Sequence, residues 1–142
     1  MTFMKKILFL LVLVFVSCDT LYVVNYEIEN RTDDIIFIDI RLGAHYSYIK
    51  EKDREFTVAP GKSVKIFETG GVNAKDYVPP DDYFFPDEMV PRHFEKCDIY
   101  VGDIQMADSI RYRKNWDYSA KKLLGVYTLS ITKETVLIFG KK

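Results

Sequence analysis

The chain of 142 residues carries 20 basic and 21 acidic side chains, interspersed along its length, and so lacks the basic patch on which a nucleic-acid binder gathers phosphate contacts. Two cysteines and two histidines are too few for a disulfide framework or a histidine-rich metal site. Aromatic residues make up 15% of the chain, and because Tyr and Phe suit half-buried strand surfaces the composition leans toward β structure.

The N-terminus reads as an export signal. Lys5 and Lys6 form a positive start, Ile7 to Val16 is an unbroken apolar run, and the small Ser17 precedes Cys18. That order is a lipobox layout, with Phe15 standing where Leu is common. As a helix the run would reach ~15 Å, about half of a ~30 Å hydrocarbon core, which disfavours a spanning segment. The expectation is a signal peptide over residues 1–17, a lipidated Cys18 with a short tether over 18–22, and one domain over 23–142. An acylated Cys18 leaves Cys97 without a disulfide partner in its own chain.

Val23 to Asn30 alternates, with Val24, Tyr26 and Ile28 on one face and Asn25, Glu27 and Glu29 on the other. After the turn cluster Asn30 to Asp34, Ile36, Ile38, Ile40 and Leu42 face one way and predict a heavily buried strand. Tyr46 to Ile49 extends a hairpin, and Lys50 to Arg54 reads as a solvated charged turn. Phe56 to Val58 and Ser63 to Glu68 flank Pro60-Gly61, where proline presets one turn residue and glycine supplies positive φ. Val64 and Ile66 point inward.

Gly70-Gly71 opens what reads as one long loop reaching Lys96, with four prolines and the aromatics Tyr77, Tyr83, Phe84, Phe85 and Phe94. Loops of that length are uncommon in compact domains and are usually functional, so Tyr77, Tyr83, Phe84 and Phe85 are the candidate ligand or partner contacts. Asp81, Asp82, Asp87 and Glu88 give the same loop carboxylates, though not at EF-hand spacing, and no metal is expected.

Cys97, Ile99 and Val101 share the apolar face of the next strand. Burial is the leading reading of Cys97; a nucleophile activated by His93 and an intermolecular disulfide are the alternatives. Strands at Ile104 to Met106 and Ile110 to Arg113, a loop or helical turn at Asn115 to Tyr118, and Leu123-Leu124 returning to the core follow. Val126 to Thr132 turns Tyr127, Leu129 and Ile131 inward, and Thr135 to Phe139 reads as a last strand. About seven short antiparallel strands with turns every ~8–12 residues predict an all-β, immunoglobulin-like β-sandwich. No nucleophile elbow, phosphate-binding glycine loop or zinc-protease motif is present, and His45 and His93 read as surface or loop residues, so neither catalysis nor a cofactor is expected.

The lipobox at Cys18, the strand Tyr26-Glu27-Ile28-Glu29-Asn30 with Thr32 after it, the turn Val58-Ala59-Pro60-Gly61-Lys62-Ser63, Trp116 and the closing Tyr127-Thr128-Leu129-Ser130-Ile131-Thr132 resemble the small lipoproteins of Bacteroidota. The resemblance implies an envelope address and a β-sandwich, and brings no catalytic residues. It also implies two O-glycosylation acceptors, Thr20 in Asp19-Thr20-Leu21 and Ser109 in Asp108-Ser109-Ile110. The expected function is that of a noncatalytic outer-membrane lipoprotein, lipid-anchored with the periplasmic side favoured, that works by contact with another envelope component, a protein or a glycan. The alternative is a carbohydrate-binding module presented to a glycan.

Overall fold

The computed structural model describes residues 20–46, 49–73 and 85–142. They form eight strands in two sheets of four. The strands are β1 (Thr20–Arg31), β2 (Ile36–Leu42), β3 (Asp53–Val58), β4 (Ser63–Asn73), β5 (Phe94–Val101), β6 (Ile104–Gln105), β7 (Asp117–Lys121) and β8 (Leu124–Thr132), and a short helix α1 (Lys133–Phe139) follows. One sheet runs β4-β1-β8-β7 and the other β3-β2-β5-β6.

Period-two patterning explains which faces meet. Ile36, Ile38, Ile40 and Leu42 of β2 pack against the inward Tyr26 and Ile28 of β1 and Tyr127, Leu129 and Ile131 of β8, all in one buried cluster. Fully burying a side chain of this size contributes about 1.5–3 kcal/mol, so these residues fix the register: a one-residue slip would turn them all to solvent. Tyr26 stacks on Tyr127 with ring centroids 5.1 Å apart and 8° between planes, and meets Trp116 edge-on at 6.3 Å.

The all-β expectation holds at this level, with corrections. The described residues hold eight strands, and β1 runs parallel to β8 while antiparallel to β4. Thr135 to Phe139 is helical: Thr135 N donates to the Thr132 hydroxyl and Thr132 N to the Thr135 hydroxyl, both at 3.1 Å. This reciprocal capping box starts a helix despite the β-branched residues. Ile110 to Arg113 is no strand; it falls in two 3-10 turns, Asp108–Arg111 and Arg113–Asn115. Gly70-Gly71 opens no loop, because β4 continues to Asn73 opposite Thr20. A side chain at Gly70 would lie 2.5 Å from the Tyr22 carbonyl oxygen, so close approach of two strands explains that glycine. The loop also ends earlier than read, since Phe94 is buried at the start of β5. The charged run is strand from Asp53 onward, where Arg41 of β2 bonds Asp53 at 2.6 Å.

The chain crosses between sheets after β1, β3, β4 and β6. Residues 106–116, passing from edge strand β6 to edge strand β7, bury Met106, Ile110, Arg111 and Trp116 on the open flank of the sandwich. Residues 85–93 lie against them through Val90 N to Arg111 O and Arg113 N to Glu88 O, each 2.9 Å. Buried Arg111 donates to the carbonyls of Val90 and Pro91 and lies over the Phe94 ring, 5.7 Å from its centroid.

Candidate functional site

The pairing gives the sandwich two distinct ends. One holds Thr20, the close of β4, the Leu42 end of β2 and the start of β8. The other holds the Arg31 to Ile35 turn, the Pro60-Gly61 turn, Gly102 and α1. At ~3.3 Å per residue the twelve residues of β1 separate them by about 36 Å.

At the α1 end the buried Asn30 side chain organises three segments. Its Nδ2 donates to Asp34 O at 2.7 Å and Val58 O at 2.8 Å, and its Oδ1 accepts from the Thr32 amide and hydroxyl at 2.9 and 2.8 Å. Gly61 N donates to Asn30 O and Asn30 N to Lys62 O, which locks the turn where Gly61 adopts φ 74°. Outside this network α1 packs Val136 and Phe139 against the core and leaves Leu137 and Ile138 85% and 73% exposed. Ile35 and Ile104 are also exposed at this end, and a groove of about 250 Å³ runs between Thr32, Val101, Val136 and Leu137 with Lys133 and Asp33 at its margin. Lys133 and Asp33 form an ion pair, which raises the Lys133 pKa.

At the Thr20 end an aromatic cluster closes the core. His93 lies 4.8 Å from the Phe67 ring and 5.5 Å from Tyr46, and Phe94 meets Phe67 edge-on at 5.3 Å. β7 returns into β8 through a two-residue turn at Lys122 and Leu123, with φ of 27° and 54°. Both residues occupy the left-handed region, which costs a non-glycine residue on the order of 1–3 kcal/mol. Leu123 therefore sits in a turn and Leu124 is 41% exposed, contrary to the reading that this pair returns to the core.

Cys18, Tyr77, Tyr83 and Phe84 lie outside the described residues, as do Asp81 and Asp82. Phe85 is described and 78% exposed, where a partner could reach it. Thr20 opens β1, and Ser109 is half-buried in the 3-10 turn Asp108–Arg111. Asp87 bonds Lys114 at 2.8 Å, and Glu88 pairs with Arg92, which lowers the Glu88 pKa. No group of three or more His, Cys, Asp or Glu side chains is placed to hold a metal among the described residues.

Cys97 is buried with Ile99 and Val101 on the inner face of β5. Desolvation pushes its thiol up to about 11, against a smaller opposing influence from Arg111. His93 is half-buried with its ring against the aromatic cluster, and the raised pKa of Cys97 leaves its thiol protonated near neutral pH.

Two surfaces escaped the sequence reading. One is the α1 pair Leu137 and Ile138, hidden because the segment reads as a strand; Thr132 and Thr135 were the available signal. The other is on the outer face of the β3-β2-β5-β6 sheet, where Phe37 and Tyr100 are register partners with rings 6.4 Å apart. Asp39 and Asp98 are partners two residues along, both within reach of Lys96 at 2.6 and 3.3 Å. The opposite phase of Phe37 to Ile36 and Ile38 was legible.

No protein family, curated protein or solved structure matches this chain. Among the described residues no helix is long and apolar enough to cross a membrane.

Proposed function

We propose that this chain is a noncatalytic envelope lipoprotein, anchored through Cys18, that acts by contact with another protein of the envelope. The observation that carries the contact reading is α1: its capped helix presents Leu137 and Ile138 to solvent beside an apolar groove, at the end of the domain farthest from Thr20. Adjacent exposed apolar side chains around a groove characterise protein contact sites. The lipobox layout of Lys5 to Cys18 supports the anchor and the envelope address, with the periplasmic side of the outer membrane favoured by the short tether. The immunoglobulin-like assignment is supported by two four-stranded sheets that share one core and exchange the chain four times.

Crosslinking in intact membranes followed by capture of the protein tests the contact. Leu137→Asp combined with Ile138→Asp should abolish the crosslinked species while leaving the melting temperature unchanged. Retention of the same species by the double variant would rule out α1 as the contact face.

The second reading, a carbohydrate-binding module, is favoured by the Phe37 and Tyr100 rings with Asp39, Asp98 and Lys96 on one open sheet face. Aromatic faces stack on the apolar faces of sugars while carboxylates accept hydroxyl hydrogen bonds. Calorimetric titration with envelope polysaccharide fragments discriminates: a glycan module binds and loses binding in Phe37→Ala, whereas the contact protein gives no heat with either.

A further inference from the structure

The outer face of the β4-β1-β8-β7 sheet changes character along its length. Parallel pairing sets Val23 beside Leu124 and Asn25 beside Val126, and the alternation of β1 and β8 turns Leu21, Val23, Leu124 and Val126 outward together. Leu21 is 66% exposed, and Val23 and Val126 are half-buried. Gly70, opposite Val23 on β4, leaves this apolar row uncovered on that side. Farther along, the same face carries Glu27, Thr128, Glu29, Ser130 and Arg31, with Glu29 bonded to Ser130 at 2.8 Å and to Arg31 at 2.8 Å. Beside Leu124 stands its partner Lys121, exposed, and then Lys122, exposed at the tip of the left-handed turn. The face is therefore apolar with a cationic margin near Thr20, and polar and acidic beyond.

We propose that the Thr20 end of this face rests in the surface of a lipid bilayer, with Leu21, Val23 and Leu124 among the acyl chains and Lys121 and Lys122 at the phosphates. The inference rests on the reading of Cys18 as the lipid anchor, and specifies how the domain then stands on its membrane. Three observations select the bilayer as occupant. Leu21 follows Cys18 by three residues, so at ~3.3–3.6 Å per residue it stays within about 10 Å of the acylated position. The apolar row from Leu21 to Val23 covers about 7 Å of strand, matching the ~5–10 Å to which interfacial segments sink. Lysines border the row where anionic lipid phosphates would meet it, and the acids of this face, Glu68 opposite Asn25 and then Glu27, begin only past Val23. The left-handed turn has a use in this arrangement, because it holds Lys122 at the extremity of the domain instead of a small, flexible glycine.

The experiment uses the mature lipidated protein reconstituted into vesicles of phosphatidylethanolamine and phosphatidylglycerol containing nitroxide-labelled acyl chains. A fluorophore is placed at Leu124→Cys, at Lys121→Cys and, as the far-end control, at Leu137→Cys; the native Cys97 is buried and escapes labelling. Quenching at both Thr20-end positions and none at Leu137→Cys is the expected result, and adding Leu21→Asp should abolish quenching at Lys121→Cys. Lys121→Cys removes no apolar side chain, so it reports even where Leu124→Cys perturbs the sheet. Incorporated fatty acid with equal quenching at all three positions, or with none, overturns the bilayer contact while leaving the anchor intact. Absence of fatty acid from the chain overturns the anchor reading and this inference with it.

Discussion

At the α1 end, side-chain hydrogen bonds tie the turns after β1 and β8: Asn30 reaches Asp34, Val58 and Thr32, and the Thr132 and Thr135 pair caps the helix. At the Thr20 end, closure comes from packed rings, and the tightest turn passes through two strained residues, Lys122 and Leu123. A directional network specifies one geometry and is costly to break, whereas an aromatic cluster with a strained turn holds the core without fixing its rim. A surface that must present a defined shape to a partner suits the first construction, and one that meets a fluid lipid surface suits the second.

The contrast can be broken most forcefully at Asn30. Asn30→Ala leaves two carbonyls and an amide without their buried partner and should cost about 3–5 kcal/mol in denaturant unfolding. A loss below about 1 kcal/mol would mean that water replaces the side chain and the network is not what defines this end.

Cys97 gives the next effect. Its thiol ionises only at about 11 in the fold against an ordinary 9.0, so the unfolded chain releases the proton first as pH rises. The contribution is complete below pH 9 and is lost as pH climbs to about 11, a difference of roughly 2–3 kcal/mol. Subtracting the stability profile of Cys97→Ala from that of the native chain isolates it; a flat difference would place Cys97 in contact with water. In the same burial, thiol reagents should react only after unfolding.

The strained turn yields a smaller change of opposite sign. Replacing Lys122-Leu123 with Asn-Gly supplies residues that adopt positive φ readily and should raise stability by about 1–2 kcal/mol. In the lipidated protein the same change should weaken vesicle quenching at Lys121→Cys, which would link the strain to the proposed bilayer contact. The smallest effect belongs to α1, where Leu137→Ser and Ile138→Ser should each stay within about 0.5 kcal/mol of the native stability, as exposed side chains do.

How much of this was readable in the sequence depended on whether one face of a segment was dry. β2 and β8 alternate apolar and polar residues and were legible to within a residue or two, as was the Pro60-Gly61 turn, whereas β5 begins three residues before the Cys97 at which it was read. β7 was not, because Asp117 to Lys121 is a polar edge strand paired on one side only and carries no alternating signal. α1 was missed because five β-branched or apolar residues in a row satisfy a strand pattern, and only the threonine cap outweighs it. The candidate site was less legible than the fold. The parallel pairing that lines up Val23 with Leu124 joins residues about a hundred positions apart, and no local pattern records it. Phe85 is exposed, and Ser109 falls in a 3-10 turn.

The parallel contact between β1 and β8 also governs when the domain can form. Glu29 and Ser130, bonded across this pair, are 101 residues apart, and the larger sheet has no centre until the C-terminal strand arrives. The sheet therefore stays incomplete until Leu124 to Thr132 has been synthesised, and long-range pairing of this kind makes folding slow. Under the proposed export through the signal read at Lys5 to Cys18, that delay would keep the polypeptide threadable through a narrow secretion channel until it reached the far side.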